Sequence, residues 1–316
     1  MKISFVIPCY RSENTVRSVI DEIVEKVRER NDIDYEIIAV NDQSPDKVLE
    51  VLIAYAENMP QLKVIDLAKN MGKHAALMAG YSYTTGDYIV NVDDDGQCPV
   101  DRLWDLLAPL DGNYDVSIAA YSVKEENAFK RFGSRMNDYM ARLLIDKEKG
   151  LQITNFSAMK RFVCDEILRY HNAYPYIDGL ILRTTKKIAN VNMEERKRIS
   201  GTSGYTFRKS LSLWINGFTA FSVKPLRIAS IMGIIISILG FLFSLIVVLR
   251  KIIHPEISVG YSSLMSVLLF VSGILMIMLG LIGEYVGRIY ISLNNSPIYV
   301  IRNTWNIDHM TEDRLK

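Results

Sequence analysis

Two apolar segments in the C-terminal third constrain this chain most, because neither contains a charged residue. One run covers 22 residues, 228–249, and the other covers 27 residues, 257–283. A helix rises about 1.5 Å per residue, so either run can cross a hydrocarbon core roughly 30 Å thick. A pair of buried core helices is the alternative, but helices this long and apolar on every face are rare in soluble proteins. The sequence therefore predicts two membrane spans, at residues 228–249 and 264–287.

The residues around the two spans predict their orientation. The link between them is short and contains Pro255, so the pair should form a helical hairpin whose ends lie on one side. Basic residues are more frequent outside the hairpin than in the link, and positive charge favours the cytosolic side. Residues 3–8 are too short for a secretion signal, and three unclustered cysteines fit a reducing compartment. We therefore predict a protein of the cell (inner) membrane, with its large N-terminal domain and both termini in the cytosol.

The first half of the chain alternates strand and helix patterns. Near-continuous apolar runs, typical of buried parallel strands, are followed by amphipathic helical stretches. This alternation predicts an α/β fold with an open, mostly parallel sheet and helices on both faces. Ligands bind such sheets beyond the carboxyl ends of the strands. The predicted strands cover residues 3–8, 35–40, 62–67, 88–92 and 115–120.

The strongest chemical signal follows the fourth predicted strand, in the run Asp93, Asp94, Asp95, Gly96 and Gln97. Adjacent acids repel one another and are poor strand formers. Residues two apart on an extended chain point the same way, so Asp93 and Asp95 can converge while Asp94 faces elsewhere. Mg²⁺ prefers oxygen ligands, and the amide oxygen of Gln97 could join the two carboxylates. A solvated acidic loop that caps the next helix is the alternative.

Another acid, Asp42, follows the second predicted strand at the same edge of the sheet. It could accept hydrogen bonds from a ribose or base while a cation at Asp93 and Asp95 neutralises a diphosphate, although a turn-forming role explains Asp42 alone equally well. No glycine-rich dinucleotide motif and no Walker sequence is present, which argues against a dinucleotide-binding Rossmann site and an ATPase. The formal net charge of +1 gives no reason to expect nucleic acid as a partner.

At this point the motifs resemble a known family. The order of short motifs in the first hundred residues is similar to that of family 2 glycosyltransferases of the GT-A fold: Val6-Ile7-Pro8-Cys9-Tyr10, Asn41-Asp42-Gln43-Ser44, Asn70-Met71-Gly72-Lys73, Ala79-Gly80, Gly86-Asp87 and Asp93-x-Asp95-x-Gln97. Three downstream motifs resemble the polyprenyl-phosphate glycosyltransferases: Arg198-Ile199-Ser200-Gly201-Thr202-Ser203, Ser222-Val223-Lys224-Pro225-Leu226-Arg227 and Gly283-Glu284-Tyr285-Val286-Gly287-Arg288. This group includes dolichol-phosphate mannose synthases and the bacterial enzymes that load glucose or aminoarabinose onto undecaprenyl phosphate.

The resemblance implies metal-dependent transfer of a sugar from a nucleotide sugar, UDP- or GDP-linked, to a polyprenyl phosphate. It implies that Asp42 contacts the nucleoside. It also implies that Arg198 and Ser203 contact the acceptor phosphate. The resemblance further implies that Asp93, Asp95 and Gln97 bind the divalent cation, Mg²⁺ or Mn²⁺, and the diphosphate. The nucleotide-sugar site is completed by other residues of the matching motifs: Pro8, Tyr10, Lys73, Asp93 and Asp94.

Two further stretches would serve a lipid acceptor. Aromatic and basic residues alternate within residues 206–227, which is typical of a segment lying along lipid head groups; a helix docked within the protein is the alternative. In the basic stretch 129–144, Arg131 and Arg135 lie one helical turn apart and could grip an acceptor phosphate together. A solvated basic face explains that stretch equally well.

The predicted reaction is attack by a lipid phosphate oxygen on the anomeric carbon of the sugar, with nucleoside diphosphate leaving. A phosphate monoester is largely a dianion at neutral pH, so a strong base is not needed. The enzyme must instead align two anions and neutralise the leaving group, and the predicted catalytic residues are Asp95, Arg198 and Arg131. Direct displacement would invert the anomeric centre. Asp178 could also face the sugar and His74 a phosphate, although structural roles are the alternative for both.

These inferences divide the chain into a GT-A domain at 1–205, a juxtamembrane segment at 206–227, a hairpin at 228–290 and a cytosolic tail at 291–316. Apolar hairpins often associate, so a homo-oligomer is possible. A non-catalytic nucleotide-binding scaffold, a flippase subunit, and a transferase with another membrane acceptor are the alternatives. A processive polysaccharide synthase would share the fold, but its Gln-x-x-Arg-Trp element is missing.

Overall fold

The computed structural model describes residues 1–30, 32–121, 148–172, 175–194, 196, 224–253, 260–293 and 297–307. Within these residues the strands form one sheet, in the order β7-β5-β6-β4-β1-β2-β3-β8. The strands are β1 Lys2–Cys9, β2 Asp34–Asn41, β3 Leu62–Leu67, β4 Tyr88–Asn91, β5 Val116–Tyr121, β6 Ser157–Lys160, β7 Ile188–Met193 and β8 Ile301–Trp305.

The five predicted strands are confirmed as β1–β5, each within one residue at either end. Strand β1 pairs in parallel with both β2 and β4, β2 with β3, and β5 with β7, so the expected mostly parallel α/β sheet is confirmed. Strands β6, β7 and β8 were not predicted. Strand β6 is four residues long, and β7 and β8 are largely half-buried or exposed, so none of them carries a long apolar run.

Helices cover both faces of the sheet, as expected. One hydrophobic core lies between the sheet and α1, α2 and α4, and a second lies between its other face and α3, α5 and α6. Two much longer helices, α7 and α8, follow. The helices are α1 Val16–Arg28, α2 Val48–Ala56, α3 Lys73–Tyr81, α4 Leu103–Asp111, α5 Arg161–Leu168, α6 Ile177–Thr184, α7 Lys224–Ile253 and α8 Tyr261–Leu293.

Gly80 allows α3 to lie close against the sheet. A Cβ atom at this position would stand 2.4 Å from Val6 Cγ1 and 3.3 Å from Val40 Cγ2. Both valines are fully buried, so neither methyl group can move away without disturbing the core. The start of α3 carries Lys73, so this close packing also determines where one predicted site residue lies.

We expect Gly80→Ala to destabilise the protein by about 1–2 kcal/mol, because overpacking a core outweighs the better helix propensity of alanine. Thermal unfolding of the two proteins measures the effect. The additional substitution Val6→Ala removes the methyl group that would clash, so the double variant should be more stable than the sum of the single effects predicts. Strict additivity would contradict the proposed contact.

The two long helices cover the region where two membrane spans were predicted. By length and apolar composition, one helix among the described residues qualifies as a candidate span: the window Phe270–Gly287 of α8 has a mean hydropathy of 1.8 and is not buried. A shorter apolar stretch, Ile231–Phe243, lies in α7. Both crossings, and with them the two-span hairpin, therefore stay predictions.

The chain returns to the sheet after α8, which the sequence analysis did not predict. Strand β8 pairs antiparallel with the edge strand β3. The Tyr299 hydroxyl lies 3.1 Å from Ser82 Oγ. The side-chain amide of Asn306 donates to three backbone carbonyls at 2.8–3.3 Å, those of Ala56, Met59 and Leu62. The predicted tail 291–316 therefore contains a strand of the main sheet, and a boundary at residue 291 does not separate it from the N-terminal domain.

Candidate active site

The candidate site lies at the switch point of the sheet. The chain builds β1, β2 and β3 outward in one direction, and then places β4 on the opposite side of β1. In α/β sheets, ligands bind beyond the carboxyl ends of the strands at such a switch point. Tyr10 follows β1, Asp42 follows β2, and Asp93 follows β4 by two residues. The structure thus brings these predicted residues to one edge.

The carboxylate of Asp94 joins the loops after β1 and β4. The Tyr10 backbone N–H donates to Asp94 Oδ2 at 2.9 Å, and the Thr15 hydroxyl donates to the Asp94 carbonyl at 2.6 Å. Burial raises the pKa of Asp94 to about 6, against the opposing hydrogen bond from the Tyr10 backbone N–H. This role in loop structure was not predicted. The predicted contact of Asp94 with the nucleotide sugar stays a prediction.

Gly96 shapes the turn between Asp95 and Gln97. Its φ of 75° lies in the left-handed region, where a side chain would be strained. The turn allows the Gln97 backbone N–H to donate to Asp95 Oδ1 at 3.1 Å. The side-chain amide of Gln97 donates to the Arg196 carbonyl at 3.2 Å. The Asp95 loop is therefore held by its own turn and by a segment distant in sequence.

Asp93 binds two donors on different elements. Lys73 Nζ lies 2.5 Å from Asp93 Oδ1, and Asn155 Nδ2 donates to Asp93 Oδ2 at 2.7 Å. Burial acts to lower the pKa of Lys73, but the charge of Asp93 outweighs it and raises that pKa, so Lys73 is a cation. Asn155 was not predicted, because the stretch before β6 has no pattern that points to a ligand.

Asp42 organises the loop that leads into α3. It is 4% exposed, and its two carboxylate oxygens accept hydrogen bonds from the Met71 and Gly72 backbone N–H groups at 2.7 and 2.8 Å. Burial raises the pKa of Asp42, while these two hydrogen bonds oppose the shift. The turn-forming role that we considered as an alternative is therefore observed. Contact with a nucleoside stays a prediction.

A small cavity is lined by Asp93 together with residues that include Pro8, Lys73, His74 and Asp178. Burial raises the pKa of Asp178 to about 6, against the charge of Lys73 and a hydrogen bond from Tyr176. Burial and the Lys73 charge lower the pKa of His74 to about 4, so His74 is neutral.

The surroundings of His74 fit the structural role considered for it. His74 Nδ1 accepts a hydrogen bond from the Ile177 backbone N–H at 3.4 Å. The imidazole ring also packs edge-on against Tyr176, with 5.3 Å between the ring centroids. His74 therefore helps to hold α6 against the start of α3.

Arg196 anchors the chain that leads towards the downstream motifs. Its guanidinium forms ion pairs with Glu22 at 2.7 Å and with Asp101 at 2.5 Å. Its backbone N–H donates to the Gln97 carbonyl at 3.4 Å. The sequence contains no signal for this residue, because its partners come from two distant parts of the chain, Glu22 and the segment 97–101.

Several predicted site residues lie outside the described residues. They are the predicted acceptor-phosphate ligands Arg131, Arg135, Arg198 and Ser203. Residues 206–223 of the predicted interfacial segment also lie outside. The assignments made for them remain predictions.

The carboxylates fit a divalent cation only if a ligand completes its coordination. Among the described residues, no three histidine, cysteine, aspartate or glutamate side chains are grouped as a metal site. Asp93 and Asp95 do offer hard oxygen donors on one loop. Mg²⁺ usually binds one or two carboxylates together with substrate phosphates, so this donor set fits a cation that arrives with a diphosphate.

Comparison with known families gives two matches along the chain. The sequence model of glycosyl transferase family 2 matches residues 4–168. The model described as the GtrB C-terminal hairpin matches residues 224–289. The first match covers the sheet with the candidate site, and the second covers most of α7 and α8.

Individual relatives match over nearly the whole length. YkcC, a glycosyltransferase of Bacillus subtilis (strain 168), is 32% identical over 307 residues, which are 97% of this chain and 95% of the relative. An undecaprenyl-phosphate 4-deoxy-4-formamido-L-arabinose transferase of Yersinia pestis (strain Pestoides F) is 31% identical over 305 residues, 95% of this chain and 93% of the relative.

Solved structures share the fold of the N-terminal domain. Glucosyl-3-phosphoglycerate synthase from Mycobacterium tuberculosis, in complex with Mn²⁺, uridine diphosphate and glucosyl-3-phosphoglycerate, matches with a TM-score of 0.52 at 22% identity. The match covers 70% of this chain and 80% of that chain. Mannosyl-3-phosphoglycerate synthase from Rubrobacter xylanophilus matches with a TM-score of 0.51 at 19% identity, over 72% of this chain and 74% of that chain.

Proposed function

The chain belongs to glycosyl transferase family 2, and we propose on this basis that it transfers a sugar from a UDP- or GDP-linked donor to a polyprenyl phosphate. The product would be a polyprenyl-phosphate sugar for cell-envelope glycan or lipid modification. Undecaprenyl phosphate is the acceptor we favour, since the Yersinia relative is named for transfer to that lipid. A transferase with another membrane acceptor is the second candidate.

The observation that carries this proposal is the hydrogen-bonded ring of loops at the switch point. Asp42 holds Met71 and Gly72, the next residue Lys73 reaches Asp93, and Asp94 holds Tyr10. Carboxylates, a cation and an exposed aromatic ring are thus presented at one edge of the sheet. These are the groups that a metal-bound diphosphate and an attached nucleoside need.

The proposed reaction needs residues that bind the divalent cation, the nucleoside and the acceptor phosphate. When bound, Mg²⁺ or Mn²⁺ supplies Lewis-acid stabilisation of the leaving diphosphate. Asp93 and Asp95 would hold that ion, with Gln97 beside them, while Asp42, Pro8 and Tyr10 would contact the nucleoside end. Arg131, Arg135, Arg198 and Ser203 would align the acceptor phosphate. Attack by a phosphate dianion on the anomeric carbon needs no protein nucleophile, so we expect inversion at that carbon.

The C-terminal hairpin supports a lipid acceptor. A polyprenyl phosphate keeps its charged head group at the bilayer surface, so an enzyme that uses it must be held there. Residues 224–289 match a hairpin family, and β8 returns the chain to the sheet that carries the site. The C-terminal end of α8 is thereby connected to the catalytic domain, and a hairpin of two crossings of the inner membrane would keep the site and both termini in the cytosol.

The proposal is tested by incubating the full-length protein with labelled donors and undecaprenyl phosphate in the presence of Mg²⁺ or Mn²⁺. UDP-glucose, UDP-galactose, UDP-N-acetylglucosamine and GDP-mannose form a suitable panel. We expect one donor to give a labelled lipid whose anomeric configuration is opposite to that of the donor. Absence of lipid product with this panel and with a nucleotide-linked 4-deoxy-4-formamido-L-arabinose, the sugar named for the Yersinia relative, would overturn the proposed acceptor, and retention of configuration would overturn direct displacement.

A further inference from the structure

The strongest feature beyond these assignments is the position of Lys73 between two carboxyl groups. Its ammonium nitrogen lies 2.5 Å from Asp93 Oδ1. Lys73 and Asp93 line one small cavity together with Asp178, which lies in the first turn of α6. The two acids come from different elements, since Asp93 follows β4. Lys73 therefore has one carboxyl partner in contact and a second across the same cavity.

Both carboxylate oxygens of Asp93 have a partner in this arrangement. One carboxylate oxygen contacts Lys73, and the other accepts a hydrogen bond from Asn155 at 2.7 Å. The ammonium group of Lys73 and a divalent cation on the same carboxylate would carry like charges and would repel each other. A divalent cation at Asp93 would therefore bind weakly as long as the ammonium group of Lys73 stays where it is.

The lysine side chain can relieve this conflict without backbone movement. Its ammonium group sits on a flexible four-carbon stem, so it can move by several ångströms through rotation about single bonds. The cavity offers Asp178 as an alternative partner. The start of α3 stays in place meanwhile, because Asp42 holds Met71 and Gly72 immediately before Lys73.

We propose that Lys73 is a positioning residue that exchanges partners: it occupies Asp93 while the donor is absent, and it turns to Asp178 when a cation and a diphosphate bind. This inference rests on the proposed function, because it takes Asp93 as a ligand of the cation. Its consequence is that binding of the cation and of the nucleotide diphosphate is coupled. A cation alone must displace Lys73, whereas a cation that arrives with a diphosphate gains additional ligands.

The test is a titration of the full-length protein in lipid nanodiscs with Mn²⁺ in the absence of nucleotide. Electron paramagnetic resonance measures the bound Mn²⁺. Lys73→Met removes the competing charge at nearly constant length, and we expect it to tighten Mn²⁺ binding about 10-fold, within the usual range of coupling between sites. Lys69→Met is the matched control, because Lys69 is exposed and its loss changes the net charge equally. The control should bind Mn²⁺ as the wild type does.

The second partner is tested by Asp178→Asn. Loss of this carboxylate should weaken Mn²⁺ binding about 3-fold in the wild-type background, because Lys73 then loses its second carboxyl partner. In the Lys73→Met background the same substitution should change nothing. A purely structural role of Asp178 would give equal effects in both backgrounds. Thermal unfolding verifies that each variant is folded, and Lys73→Gln replaces Lys73→Met if the latter is not.

The outcomes separate this inference from the proposed function. Equal Mn²⁺ affinity in the wild type and the neutral Lys73 variants would overturn the exchange and leave the metal site intact. Equal effects of Asp178→Asn in both backgrounds would overturn Asp178 as the second partner. Absence of Mn²⁺ binding to the wild type, with UDP or GDP added, would overturn the proposed metal site and this inference with it.

Discussion

Asp95→Asn should lower the rate of sugar transfer by roughly 10²–10³-fold, the usual effect of removing one electrostatic contact to a developing charge. The substitution removes a negative charge and retains an oxygen that can accept the Gln97 backbone N–H, which now lies 3.1 Å from Asp95 Oδ1. The turn at Gly96 should therefore persist. The loss should appear mainly as a higher divalent-cation concentration needed for half-maximal activity, because a neutral amide oxygen is a poorer ligand than a carboxylate.

The measurement is kcat/KM for the active donor over a range of Mn²⁺ concentrations. Asp105→Asn is the matched control, because Asp105 is an exposed acid on α4 that pairs with Arg102. It removes the same charge away from the site, and the control should retain wild-type activity. Full activity of Asp95→Asn at every Mn²⁺ concentration would remove Asp95 from the metal site.

Glu36→Ala should destabilise the catalytic domain by about 3–5 kcal/mol, because it leaves the half-buried ammonium group of Lys63 and the buried Ser4 hydroxyl without their acceptor. The Glu36 side chain is 3% exposed and lies 2.8 Å from Lys63 Nζ and 3.4 Å from Lys2 Nζ. It also accepts hydrogen bonds from the Ser4 hydroxyl at 2.6 Å and from the Thr85 backbone N–H at 2.5 Å. Glu36 thereby joins β1, β2 and β3 to the loop before β4.

Thermal unfolding of the full-length protein in detergent measures this loss. A change of that size corresponds to a decrease in Tm of roughly 6–20 °C for a domain of this length. Glu50→Ala, at an exposed position on α2, should change Tm little. A small shift for Glu36→Ala would mean that water replaces the missing carboxylate.

Lowering the pH should remove the contribution of Glu36 to stability. Burial by itself would raise the pKa of Glu36, but the hydrogen bonds from Lys63, Ser4 and Thr85 outweigh it and lower the pKa to about 2. A lowered pKa means that the contribution to stability is fully present above the ordinary value of 4.5 and is lost as the pH falls towards 2. The Tm of the wild type should therefore decrease over this pH range, and that of Glu36→Gln should decrease less.

The acidic run was the strongest chemical signal in the sequence, and in the structure its aspartates have different contacts. Alternation along the chain predicted that Asp94 would face away from its neighbours, and Asp94 indeed contacts the loop after β1. The lysine and asparagine that contact Asp93 could not be predicted. They lie 20 and 62 residues away in sequence, and their contacts depend on how α3 and the segment before β6 pack.

The pairing of strand β8 with the sheet also could not be predicted from the sequence. Five residues of mixed polarity after a long apolar helix contain no periodic signal, so a tail was the natural expectation. The strand forms because β3 presents an unpaired edge and because Asn306 finds three carbonyl groups there. Only a folded sheet can supply that edge.

The sequence by itself determined the alternation of strands and helices, the apolar helices and the placement of acids at strand ends, because periodicity, length and order along the chain encode these directly. Tertiary structure alone decided which groups those acids contact: Asp42 with the loop before α3, Asp93 with Lys73, and Gln97 with Arg196. These contacts join residues far apart in sequence. Their geometry exists only once helices have packed on both faces of the sheet.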